Sequence, residues 1–404
     1  MIQLSNQRQP EPAAPAPTPY LFDELPPSPA LRVSVVVPVR NEADHLQQTL
    51  DALRNQQYSD GSAVPYRDYE VLLLANNCTD QSYELARHYQ RCFPDFPLHV
   101  ASVWLTPDKA NIGYVRRLLM DEACRRLLAT GNRLGIIAST DGDTVVDRHW
   151  ISQTMAEIER GNDAIGGRIL TPRRDRITRE AAPADESGCP DAVRRYHLLD
   201  VTYRHLVARV EALLDPVPND PWPRHFQHFA ASLAVTCATY LKAGRLPEVV
   251  CMEDEAFYQA LLRVDAKIRK SPLVKVVTST RTQGRVAVGF SWQLNQWAAM
   301  TSTRQLPLVE GADVVLSRFR HRRQLRDCWQ TMAHTDRRAD LLAIASELQI
   351  DTDWLCQETA LNQYFGQLYE NVVKQSPVLR QPPSLIPVTA AIQELRDFLH
   401  QSAR

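Results

Sequence analysis

The chain holds 404 residues, 44% hydrophobic and 23% charged, enough to bury one large core or two smaller ones. Lys plus Arg (46) against Asp plus Glu (47) leaves a net charge of -1, which excludes a nucleic-acid binder whose whole surface is basic. Eight cysteines without a Cys-x-x-Cys pair read as reduced thiols of a cytoplasmic protein. No segment approaches the roughly 18 apolar residues of a membrane span, and the amino terminus lacks a basic region followed by an apolar one, so neither export nor membrane spanning is expected.

Residues 1–30 carry eight of the 27 prolines and read as an extended or disordered leader. The β-branched run Val33 to Pro38 predicts a first strand, followed by a helix from about Glu42 to Gln56 with Leu46, Leu50 and Leu53 on one face. Strands are expected over Tyr69–Ala75, His99–Leu105 and Leu134–Ser139, with helices at Gln81–Arg91 and Gly113–Ala129 between them. Four strands alternating with helices specify an α/β, mostly parallel, doubly wound sheet. A helix Trp150–Arg160 and a strand Ala164–Leu170 follow, then a polar stretch from Thr171 to Arg195 that reads as a mobile insertion. A helix from about Tyr196 to Leu214 precedes a Pro- and Trp-containing loop, Asp215 to Arg224. The carboxyl-terminal part, from about Gln293, reads as amphipathic helices such as Asp340–Leu348 and Thr389–Leu399.

The chemistry gathers where strands end, which is the edge at which open α/β sheets bind ligands. Asp141-Gly142-Asp143 places two carboxylates directly after an apolar strand. They point to opposite sides of an extended backbone unless the chain turns after Asp141 and lets both reach one hard cation. An ordinary Asp-Gly surface turn is the plainer account. Pro38, Arg40 and Glu42 leave the first strand with polar groups able to hold a nucleotide, with Asn41 as helix N-cap a compatible alternative. Asn76, Asn77 and Asp80 present amides and an acid to a base or ribose, or form a turn capped by Thr79 or Asp80. Lys109, Asn111 and Arg116 or Arg117 open a helix suited to a diphosphate, or solvate it. Glu253-Asp254 opens the helix Glu255–Arg263, where the macrodipole favours acids without any function. Asp254 follows an apolar run and would be drawn inward, where a carboxylate accepts a proton from an attacking hydroxyl. Arg281 and Arg285, around Gly284, form a loop able to close over phosphates. Trp222, His225 and His228 are candidates for sugar contact, with ordinary packing the plainer role.

With these residues in order, the chain resembles the family 2 glycosyltransferases of the GT-A fold, over roughly residues 31–295. The run from Val33 to Glu42 looks like the family's opening strand, and Ala75 to Asp80 resembles its second nucleotide loop. Asp141-Gly142-Asp143 falls where the family has Asp-x-Asp, Phe229 to Val235 resembles the segment lining the acceptor pocket, and Glu253-Asp254 matches the Glu-Asp pair whose Asp serves as base. The resemblance implies a GT-A domain over 31–295, with nucleotide-sugar binding at 31–148 and the acceptor side at 149–295, before a helical extension at 296–404. It implies sugar transfer from a UDP- or GDP-sugar to a hydroxyl acceptor with inversion, Asp143 and Asp141 holding Mg²⁺ or Mn²⁺ and Asp254 as base. Arg281 and Arg285 would serve as a lid.

Two departures from the family pattern narrow this. Ala75-Asn76 stands where an acid is usual, and an amide does not separate uracil from guanine. No histidine lies between Glu255 and Arg285 to act as a further metal ligand. A retaining reaction on a small acid such as glycerate and a catalytically decayed nucleotide-sugar scaffold are the alternatives. A nucleotidyltransferase and a nicotinamide dehydrogenase are disfavoured, because no glycine-rich loop follows the first strand. A homodimer is compatible with all of these readings.

Overall fold

A strand buried along its whole length must be covered on both faces, and the first strand, β1 (Val33–Val39), is buried at all seven positions. The computed structural model describes residues 21–22, 26–172, 191–279, 289–303, 305–332 and 334–402. Most of the expected leader, most of the polar stretch after Leu170, and both Arg281 and Arg285 lie outside the described residues.

β1 pairs in parallel with β2 (Tyr69–Asn76) and with β4 (Ile136–Ser139), and β2 pairs in parallel with β3 (Leu98–Val103). Alternate residues of these strands enter two cores. Val35, Val37, Val71 and Leu73 pack against α1 (Ala43–Arg54), α2 (Ser82–Cys92) and α4 (Trp150–Glu159) through Leu46, Leu50, Tyr89 and Trp150. Val36, Leu72, Leu74 and Ile137 pack on α3 (Ile112–Ala129), α6 (Cys237–Lys242) and α7 (Glu253–Arg263) through Leu119, Tyr240 and Phe257. The expected helix-covered, mostly parallel sheet is therefore present.

The sheet is larger and more mixed than the five expected strands, of which Ala164–Leu170 is present with the expected bounds. It has eight, in the order β3-β2-β1-β4-β7-β6-β8-β5, where β5 is Thr144–Val146, β6 Ala164–Leu170, β7 Leu233–Thr236 and β8 Ile268–Thr278. β7 runs antiparallel to both β4 and β6, and β5 antiparallel to β8. β8 escapes a reading by apolar runs because Arg269 and Lys270 are buried in it and Pro272 interrupts it, at a bulge where the register against β6 shifts.

Those buried cations belong to an ionic network. Asp220 accepts from Arg224 (2.8 Å) and Arg269 (2.9 Å), Glu211 from Arg224 and from Arg322 (2.6 Å), and Asp215 from Arg322 and Arg326. The network joins α5 (Asp191–Leu214) to α9 (Ala312–Thr331). Apolar contacts do the same, with Tyr203, Leu206 and Val210 of α5 packing on Val315 and Phe319 of α9 and on Ile392 and Leu395 of α14 (Val388–Gln401). The helices expected at Asp340–Leu348 and Thr389–Leu399 are present as Arg338–Leu348 and α14, and the carboxyl-terminal region also contains a two-stranded antiparallel sheet, β9 (Leu308–Glu310) with β10 (Leu385–Pro387).

Two helix starts are set by one side chain. Asp80 accepts from the Ala43 amide at 3.0 Å and from the Ser82 amide at 3.0 Å, so it satisfies orphan N–H groups of α1 and α2 together. Asp80→Ala is expected to lower unfolding free energy in urea by about 1 kcal/mol for each lost cap. Burial alone would push the Glu211 carboxyl up, but Lys270, Arg322 and Arg224 pull it from 4.5 down to about 2. Its stabilisation is thus present above pH 4.5 and is lost as pH falls toward 2. Glu211→Gln is expected to lose about 3 kcal/mol at pH 7 and to show a flatter loss of stability on acidification, measured by denaturant titration at pH 7 and pH 3.5.

Candidate active site

The parallel strands β1 to β4 all end at one edge of the sheet, which brings the acids and amides that follow them together. Several of these side chains are engaged in building the loops. Asn41 has a left-handed φ of 57°, which asparagine tolerates. It does not cap α1, because its Oδ1 accepts from the Thr79 amide (2.7 Å) and its Nδ2 donates to Thr79 Oγ1 (3.1 Å). The capping expected of Asn41 comes instead from Asp80. Asn77, at φ 48°, donates to Leu105 O (2.8 Å) and accepts from the Leu105 amide (3.1 Å). That amide fastens the loop after β3 rather than facing a base, while Asn76 is buried at the end of β2. Arg40 donates to Ala110 O (3.1 Å), and Asn111 caps α3 by accepting from the Tyr114 amide (2.9 Å). Lys109 lies 5.5 Å from the centre of the Tyr114 ring.

After β4 the chain turns, with the Thr144 amide donating to Asp141 O (3.2 Å). Gly142 is required in that turn, since a Cβ there would sit 2.9 Å from Cγ of the buried Glu42. The turn separates the two acids' partners. Asp141 accepts from Arg116 Nη2 (2.8 Å) and Asp143 from Ser279 Oγ (2.6 Å). Ser279 follows β8 directly, so the edge pairing of β5 with β8 brings Ser279 to Asp143.

Arg116 does not offer a free fork to phosphates, as its place on α3 had implied. Only 3% exposed, it donates from Nη1 to Ser139 Oγ (2.6 Å), from Nη2 to Asp141 and from Nε to Glu253 Oε1 (3.1 Å). Burial alone would lower the guanidinium, but Asp141 and then Glu253 hold it above its ordinary value. Glu253 is itself buried, which pushes its carboxyl up against the pull of Arg116. Its neighbour Arg117 turns away, donating to Leu246 O (2.8 Å).

Asp254 is half-buried beside this cluster. One oxygen accepts from the Glu255 amide (2.8 Å) and the other from the Ala230 amide (3.2 Å), in the 3₁₀ turn Ala230–Ser232 that leads into β7. Two N–H groups from two segments thus orient the carboxylate, and one of those segments is the expected acceptor-lining run from Phe229. His228 stands next to it, with Nε2 2.7 Å from Glu255 Oε2 and its ring stacked on Tyr258 at 3.9 Å. That hydrogen bond holds the Glu255 carboxyl down at about 2. Nothing in the spacing of His228 and Glu255 pairs them, because the contact is made by a loop folding onto α7. His225 is buried against Ser271 O (3.1 Å), and Trp222 is half-exposed beside Arg209.

Among the described residues no three His, Cys, Asp or Glu side chains are grouped to hold a metal by themselves. Asp141 and Asp143 nevertheless fit an ion of the Mg²⁺ or Mn²⁺ type, which takes one or two carboxylates and completes its shell with water and substrate phosphates. Beside them the Thr140 hydroxyl is buried without a hydrogen-bond partner. No helix among the described residues is long and apolar enough to cross a membrane.

Residues 34–183 match the family model described as glycosyl transferase family 2. A 138-residue stretch is 28% identical to glycosyltransferase AglE of Haloferax volcanii, covering 34% of this chain and 39% of the relative, so the chain spans about two fifths of that protein's length. Among solved structures, TarS residues 1–349 of S. aureus in complex with UDP aligns over 93% of this chain and 92% of its own, at 12% identity and a TM-score of 0.42. The mannosyltransferase PcManGT of Pyrobaculum calidifontis in complex with GDP-Man and Mn²⁺ aligns over 87% and 90%, at 17% identity and a TM-score of 0.42. The matched stretch, residues 34–183, contains β1 to β4 with the Asp141-Gly142-Asp143 turn.

Proposed function

We propose that the protein transfers a sugar from a nucleoside-diphosphate donor of the UDP or GDP type to a hydroxyl of a small or non-processive acceptor, with inversion at the anomeric carbon. The observation that carries this reading is the meeting of Asp141 with Glu253-Asp254 at one sheet edge, with Arg116 between them. Donor-binding and acceptor-side acids come together there although they are remote in sequence.

In this reading the acceptor hydroxyl lies against Asp254, whose carboxylate takes its proton as the oxygen attacks the anomeric carbon. The bond from that carbon to the diphosphate breaks, and the diphosphate leaves with the electron pair on the opposite face. Asp254 suits this role because Ala230 and Glu255 amides fix its orientation before substrate arrives. Asp143 and Asp141 would hold Mg²⁺ or Mn²⁺, whose positive charge would offset the negative charge of the departing diphosphate. Glu253, buried against Arg116, supports its neighbour rather than acting as the base. In this reading the nucleotide would lie against the ends of β1 and β2, beside Pro38, Glu42 and Asn76, with Arg40, Asn77, Asp80, Lys109 and Asn111 shaping the loops around it. Arg281 and Arg285, beyond Ser279, remain the proposed lid.

Asp143→Asn is expected to abolish both metal-dependent donor hydrolysis and transfer. Asp254→Asn should retain donor binding while transfer falls by a factor on the order of 10³, within the range attributed to general bases. Both are read by product chromatography with a panel of nucleotide sugars, and full transfer by Asp254→Asn would show that another group is the base.

A further inference from the structure

The proposed function supplies a donor half and an acceptor half, and the inference that rests on it concerns what joins them. Arg116 is anchored in the body of α3, inside the core formed with Val115, Leu119 and Met120, so its stem has little freedom. All three guanidinium nitrogens donate to oxygens from three separate segments, at 2.6 to 3.1 Å. These are the end of β4, the turn after it and the first residue of α7. We infer that Arg116 is a positioning residue, a rigid planar clamp that fixes the start of α7, and with it Asp254, relative to the donor-side acid Asp141.

A lysine at this place would bring the same charge but only a compact ammonium, which cannot hold three oxygens at fixed angles. The alternative is a purely local role, in which Arg116 neutralises whichever carboxylate is near and the two halves are held by other contacts. The two differ in what happens at a distance. Among the described residues Asp141 is hydrogen-bonded to α7 only through Arg116, so loosening Asp141 reaches α7 if the clamp transmits it.

Amide hydrogen exchange reads this without any activity measurement. In Asp141→Asn and in Glu253→Gln, the amides of Ala230, Glu255 and Ala256 are expected to exchange at least about threefold faster than in the wild type, while those of α14 stay unchanged. Unchanged exchange at Ala230, Glu255 and Ala256 in Asp141→Asn would overturn the clamp. A kinetic arm uses Arg116→Lys, which should lower kcat about tenfold while the donor KM stays within about threefold. A raised donor KM with unchanged kcat would instead make Arg116 a donor ligand and refute the positioning role. If the wild type turns over no nucleotide sugar, the transfer reading fails and the exchange result alone decides the clamp.

Discussion

Carboxylates gathered at the buried edge of a sheet repel one another unless a cation lies between them, and this constraint organises the centre of the molecule. Asp141 and Glu253 converge there, and Arg116 donates to both from beneath. Isolated in its buried place, Glu253 would be costly to keep charged. Around one guanidinium the two acids form a charge-assisted set in which Ser139 takes the remaining donor. Glu253 still carries the mark of its surroundings, because burial lifts its carboxyl despite the arginine.

A second layer of charge lies around His228 and Lys270. Tyr258 stacks on His228 and faces the Lys270 ammonium 5.2 Å from its ring centre, and Lys270 is held above its ordinary value by Tyr258 and Glu211 in spite of burial. From Glu211 the network continues through Arg322 and Asp215 into α9. The carboxyl-terminal helices also reach α7 directly. Asp265, just past its end, accepts from the Phe365 (2.7 Å) and Gly366 (2.8 Å) amides at the start of α12 (Phe365–Gln375). A Cβ on Gly366 would lie 1.8 Å from Leu262 O, so this contact demands glycine. The helix that carries Asp254 is therefore gripped at its first residue by Arg116 and beyond its last by the carboxyl-terminal helices.

Much of this was legible in the chain itself, wherever the pattern is local. The strands β1 to β4 follow from β-branched and apolar runs, and α1 from Leu46, Leu50 and Leu53 on one face, because periodicity reports burial directly. The Asp-x-Asp turn and the Glu-Asp pair were legible as motifs, and both reach the same edge. What could not be read depends on partners remote in sequence. β8 carries Arg269 and Lys270 where a buried strand should be apolar, and Asp220, the Pro221 and Pro223 carbonyls, Tyr258 and Glu211 make that tolerable. Arg116 looked like a phosphate ligand at a helix start, since nothing nearby in the chain announces that Glu253 will take its Nε. Asn77 offered an amide to a ligand and Asn41 a cap to α1, yet their left-handed backbone turns those side chains onto Leu105 and Thr79. Likewise His228 gains its meaning only when its loop folds against Glu255.

The claim that most of the account depends on is that this sheet edge binds a nucleotide diphosphate together with a divalent ion. Thermal unfolding of the full chain with UDP- and GDP-sugars, with and without Mn²⁺, tests it directly, because a ligand that binds only the folded state stabilises it by about 2.7 kcal/mol at a hundredfold excess over its Kd. The account predicts that at least one nucleotide sugar raises the melting temperature of the wild type, that Mn²⁺ enlarges the shift, and that Asp143→Asn removes the enlargement. No shift with any nucleotide sugar would contradict it.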